Sequence, residues 1–160
     1  MNRGSTFFLK VAVLVFGLIV LALCIFALPS AWKGGAEEYP MASNSVILIV
    51  IGMYATVVPF FIALWQTLKL LGYIDKHKTF SDLSVKALRN IKYCGFVIAV
   101  FYFGFVPLLI PIAQADDAPG LVLFGAAFAC VPLVVAVFTA VLQKLLQNAI
   151  DIKSENDLTV

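Results

Sequence analysis

Charge is what this sequence has least of. Only 12% of its 160 residues are Asp, Glu, Lys or Arg, against about 25% in an ordinary soluble domain. Histidine occurs once, at His77, and cysteine three times, at Cys24, Cys94 and Cys130. A single histidine leaves no pair for an intramembrane metalloprotease. Three cysteines at scattered spacings fit neither a CxxC redox motif nor a zinc pattern. They read as small apolar packing residues.

What replaces charge is hydrophobic residues, at 62% of the chain. Four runs contain no Asp, Glu, Lys, Arg or His: 11–28, 46–64, 93–112 and 121–142, of 18, 19, 20 and 22 residues. A helix needs about 20 apolar residues to cross a bilayer core of about 30 Å. The runs take up about half of the chain, and the pieces between them are too short to fold separately. The pattern predicts one all-α integral membrane domain over 1–160. Its four transmembrane helices are expected at about 7–28, 44–73, 81–114 and 119–150, in two hairpins, with a cytoplasmic tail at 151–160. The first run is longer than the 7–15 residues usual for a signal-peptide core, and no clean A-x-A-like site follows it. It is expected to stay as an uncleaved first helix.

Lys and Arg near helix ends mark the cytoplasmic side. Arg3 and Lys10 precede the first run, Lys69, Lys76, Lys78, Lys86, Arg89 and Lys92 lie between the second and third, and Lys144 and Lys153 follow the fourth. Ten of the 11 basic residues thus share one side. Lys33 alone falls on the other, with Glu37, Glu38, Asp116 and Asp117. This distribution predicts both termini and the 2–3 loop in the cytoplasm of a bacterial inner membrane. Trp32 and Tyr39 on one side, and Trp65, Tyr73 and Tyr93 on the other, suit an interfacial aromatic belt. Lys69 and Lys144 are placed to snorkel toward headgroups.

Pro59, Pro107, Pro111 and Pro132 each remove a backbone donor inside an apolar run, where a kink or break is expected. The small pairs Gly52/Thr56, Gly95/Ala99 and Gly125/Ala129 permit close helix approach. The segments ending Ile74-Asp75 and Ile150-Asp151 suggest a weak tandem repeat of hairpins, which chance similarity between membrane sequences explains equally well.

The 2–3 loop is the informative polar stretch. On a helical projection Phe80, Leu83, Ala87, Leu88 and Ile91 share one sector, while Lys86, Arg89 and Lys92 lie opposite. Thr79 or Ser81 can cap such a helix, and Asp82 suits its first turn. A short basic amphipathic helix is therefore expected between helices 2 and 3, lying on the membrane surface or docking a protein partner.

Ionisable groups inside a membrane usually mark catalysis or ion coupling, and these four runs have none. Thr56, Thr139, Tyr54, Tyr102 and the cysteines are the only polar side chains in their cores. Carboxylate-coupled export, thiol oxidation and metalloproteolysis all lack their groups. The expectation is a non-enzymatic protein with no catalytic residue, no cofactor and no metal.

Two segments carry a family resemblance: Phe80-Ser81-x-x-Ser84-Val85-Lys86-Ala87-Leu88-Arg89-Asn90-Ile91-Lys92-Tyr93, and Ala149-Ile150-Asp151-Ile152-Lys153-Ser154-Glu155-Asn156-Asp157-Leu158-Thr159-Val160. They resemble segments of the YoaS-like family of small bacterial four-helix membrane proteins, a domain of unknown function. The resemblance covers essentially the whole chain and brings no established activity. It implies an association with a small helix-turn-helix regulator of the Cro/C1 type, often encoded alongside. The expected partners are therefore the lipid bilayer and such a regulator, without direct nucleic-acid contact; a homo-oligomer stays open. Candidate docking residues are Lys86, Arg89, Lys92, Glu155, Asp157 and Leu158. An immunity or export protein against a membrane-active peptide or lipid-like compound, or a structural tetraspan subunit, is the alternative.

Overall fold

The computed structural model describes residues 2–159; Met1 and Val160, the two ends of the expected domain, lie outside the described residues. Four long helices account for nearly all of it: α1 (Arg3–Glu38), α2 (Ser43–Asp75), α3 (Asp82–Ala115) and α4 (Gly120–Leu158). A single 3-10 turn, Pro40–Ala42, joins α1 to α2. All four helices are long and apolar enough to cross a membrane. Their outer faces carry exposed Phe26, Val100, Phe124 and Phe128, each more than two-thirds accessible. Apolar surface on this scale is tolerated in lipid rather than water. Helices suit that setting because each satisfies its own backbone hydrogen bonds.

The helices pack in chain order as an open bundle. α3 packs most extensively on α4, next on α2, while α1 packs on α2 alone. The strong α2–α3 contact makes a continuous row of four. Glycines mark where neighbours come closest. A Cβ on Gly95 of α3 would meet the Ala136 Cβ at 2.9 Å and its Cα at 3.3 Å. The Phe105 ring lies on Gly52, Leu109 on Gly125, Leu64 on Gly17 and Val46 on Gly35. Ala99 and Thr56 are buried, and Ala129 and Ala136 are completely so. The small pairs expected to admit close approach do so by receiving a neighbour's side chain or backbone.

Three expectations about boundaries change. Every internal proline, including Pro29, sits within an unbroken helix. In lipid a helix interrupted by proline has no better alternative for its remaining backbone groups. α1 consequently runs on to Glu38, well past residue 28, for about 54 Å at 1.5 Å per residue. The basic amphipathic stretch is not a separate helix lying on the membrane. It forms the first turns of α3, because Ser84, Val85, Ala87 and Leu88 are buried within the protein and only Phe80 and Leu83 of its apolar set are exposed. The segment after Ile150, expected as a tail beyond the fourth helix, continues that helix, since α4 runs to Leu158.

Hydroxyls within the apolar runs turn inward to backbone acceptors. Thr56 donates to the Met53 carbonyl at 2.8 Å and Thr139 to the Val135 carbonyl at 2.7 Å. Tyr54 of α2 donates across to the Cys24 carbonyl of α1 at 3.1 Å.

Candidate functional site

Polar chemistry collects at the end of the bundle where α1 begins, α2 gives way to α3 and α4 finishes. The α2–α3 connection is short and tied down. His77 adopts a left-handed conformation (φ 55°) just after α2. Its N–H bonds the Ile74 carbonyl at 3.1 Å, and the Lys78 N–H bonds the Tyr73 carbonyl at 2.8 Å. This pairing is a Schellman cap, which closes a helix with one left-handed residue, usually glycine. His77 therefore has a backbone role. The Lys78 carbonyl then accepts from the hydroxyls of Ser81 (2.6 Å) and Ser84 (3.2 Å). Ser81 stands at the N-cap position of α3, as expected, but its hydroxyl serves the loop rather than the helix. The result is a fixed turn that presents Phe80, 57% accessible, outward.

Beside it, the Lys10 ammonium pairs with the Asp75 carboxylate, joining α1 to the end of α2. Asp75 lies well beyond the apolar run that ends at Leu64. The Lys10 hydrogen bond holds its carboxyl below the usual range against partial desolvation, with help from Thr6 and Arg3.

α4 outruns its apolar segment by about 24 Å between Leu142 and Leu158 at helical rise, and this extension faces the start of α3. Phe80, Ile150, Lys153, Ser154, Asp157 and Leu158 line one shallow pocket of about 330 Å³. Nearer the apolar region, Arg89 and Lys92 share a second pocket with Gln143, Lys144, Gln147 and Asn148. The six candidate docking residues are thus divided. Asp157 and Leu158 gather with Phe80, Arg89 and Lys92 gather with Lys144, and Lys86 and Glu155 are exposed outside both pockets. Ile150, Gln143, Gln147 and Asn148 were missed as site residues, because their place depends on how α3 and α4 are aligned. The antiparallel register implied by the short 3–4 loop was the available signal.

At the opposite end, Tyr39 has its phenol pushed above its ordinary range by partial desolvation and by the Asp116 and Glu38 carboxylates. That brings the α1–α2 and α3–α4 connections together. Midway along the bundle an apolar cleft of about 440 Å³ draws lining residues from all four helices, among them Phe16, Cys24, Thr56, Tyr102 and Phe128. The three cysteines are unpaired, on α1, α3 and α4.

Residues 30–160 match a family described as "Protein of unknown function (DUF2975)". The chain belongs to the DUF2975 family. It is 52% identical over 160 residues, covering all of both chains, to the "Uncharacterized membrane protein YoaS" of Bacillus subtilis (strain 168). No solved structure matches it. The YoaS-like resemblance of residues 80–93 and 149–160 therefore extends along the whole chain. This DUF2975 member is a helical membrane protein with a full-length bacterial relative.

Proposed function

We propose that this DUF2975 protein is a non-enzymatic bacterial inner-membrane protein that docks a small cytoplasmic helix-turn-helix regulator at its charged helix ends. The observation that carries the reading is the Phe80 pocket. Exposed Phe80 and Leu158 flank it, Asp157 and Lys153 supply charge at its rim, and fixed backbone supports both sides. An exposed aromatic residue with a charged rim suits a protein interface, in which aromatics including Phe are enriched and the rim is polar. The extension of α4 carries this face clear of the apolar region.

The orientation is both termini inside, with the α2–α3 turn on the same side. The Lys10–Asp75 pair and the Phe80 pocket support placing these three parts at one end of the bundle, and the concentration of Lys and Arg there makes that end cytoplasmic. The test is co-purification of the tagged full-length protein in mild detergent, beside a variant lacking residues 152–160. Recovery of a helix-turn-helix regulator with the first and its loss with the second supports the reading. Equal recovery from both, or no regulator with the first, contradicts it.

A second reading has its own support. The mid-bundle cleft lies within the usual size range of small-molecule sites, about 300–1,000 Å³, and its lining is almost wholly apolar. That suits protection against, or export of, a lipid-like compound, and predicts drug or peptide sensitivity on deletion rather than a regulatory phenotype.

A further inference from the structure

The pocket nearer the membrane has a composition of its own. Arg89 and Lys92 stand one turn apart on one helix face, immediately before the apolar run that opens at Tyr93. Lys144 follows the run that ends at Leu142. The three cations therefore meet between α3 and α4 at the level where both helices leave the hydrocarbon. Gln143, Gln147 and Asn148 complete a pocket of about 370 Å³. Lys92 also rests its ammonium 4.7 Å from the centre of the Tyr93 ring, which holds it at this level.

The charge of the pocket is not balanced within the protein. Lys10–Asp75 is the only ion pair among the described residues, so no carboxylate neutralises Arg89, Lys92 or Lys144. Asp151, one turn past Gln147, accepts from the Gln147 amide at 3.1 Å instead. The pocket thus lacks an anion.

We propose that this pocket binds the headgroup of an anionic phospholipid, with its phosphodiester held by Arg89, Lys92 and Lys144. A lipid is favoured over a free anion by the height of the site, since basic pockets between transmembrane helices at the membrane boundary suit headgroups. Exposed Phe138, Val141 and Leu142, on the neighbouring turns of α4, offer its acyl chains an apolar track. The site is separate from the Phe80 pocket and does not depend on regulator docking.

The test is lipid binding to the full-length protein in detergent, followed by native mass spectrometry. Anionic dioleoyl-phosphatidylglycerol is compared with zwitterionic dioleoyl-phosphatidylcholine, and phosphatidylglycerol is expected to be retained more strongly. Each of Arg89→Gln, Lys92→Gln and Lys144→Gln weakens phosphatidylglycerol binding about fivefold, and together about a hundredfold, from the attraction of one cation to an anionic headgroup. Lys76→Gln, outside both pockets, leaves binding unchanged. The single variants decide the matter if the triple variant does not fold. Equal retention by wild type and the Arg89, Lys92 and Lys144 variants overturns the proposal. Displacement of the lipid by an equal concentration of inorganic phosphate also overturns it, because the site would then be one for a free anion.

Discussion

The ammonium of Lys10, near the start of α1, pairs with the carboxylate of Asp75, the last residue of α2. Because α1 packs on α2 alone, this ion pair and the Tyr54–Cys24 hydrogen bond are its specific polar anchors. The Asp75 carboxyl is held below the usual range chiefly by its hydrogen bond from Lys10. A depressed folded-state pKa stabilises the fold above the unfolded value of about 3.9 and ceases to do so as pH falls through the folded value. Thermal melts in detergent should therefore show a loss of wild-type stability below the ordinary carboxylate range. Asp75→Asn should lack that contribution at neutral pH and show a smaller acid loss.

The α3–α4 crossing depends on Gly95. A Cβ there falls 2.9 Å from the Ala136 Cβ and 3.3 Å from its backbone. Replacement by Leu, Gly95→Leu, should separate the helices at a cost of about 1–3 kcal/mol, as overpacking does. Gly104 lies in the same helix with nothing within 4 Å of its Cβ position. Gly104→Ala should be neutral or stabilising by up to about 1 kcal/mol. Thermal midpoints of both variants in one detergent check the contrast.

His77 should behave as a cap. Its left-handed backbone (φ 55°) is the conformation that glycine adopts without strain and a β-branched residue resists. His77→Gly should keep or raise stability, and His77→Val should lower it by about 1–2 kcal/mol. A stability change that follows loss of the imidazole in both variants alike would point to a side-chain role instead.

The orientation is checked by labelling single cysteines in intact cells with a membrane-impermeant maleimide. Starting from a variant with Cys24, Cys94 and Cys130 replaced, Asp117→Cys should label before permeabilisation and Lys78→Cys only afterwards. The cysteine-free parent should retain the cellular phenotype, since all three thiols are unpaired and sit in or beside apolar runs. The reverse labelling pattern contradicts the proposed topology.

The spans were legible because hydrocarbon imposes a length and excludes charge, so 46–64 or 121–142 could be read directly. The close approaches at Gly52, Gly95 and Gly125 were legible as small pairs, although their partners Phe105, Ala136 and Leu109 were not, because helix register is a tertiary property. The amphipathic stretch misled for a related reason. Its periodicity states that one face is covered, not whether lipid or protein covers it. Burial of Val85 and Leu88 within the protein made it the start of α3. The division of Arg89 and Lys92 from Asp157 and Leu158 likewise follows from the antiparallel seating of α4, which sets each residue of α3 opposite its own level of the partner helix.

The most direct measurement of the docking reading places a photo-crosslinking amino acid at position 80 of the full-length protein in growing cells. The account predicts one dominant crosslink, to a small helix-turn-helix regulator, that disappears when Leu158→Asp is added while membrane level and bilayer topology stay unchanged. Crosslinks to lipid alone, or a regulator crosslink indifferent to Leu158→Asp, would contradict it.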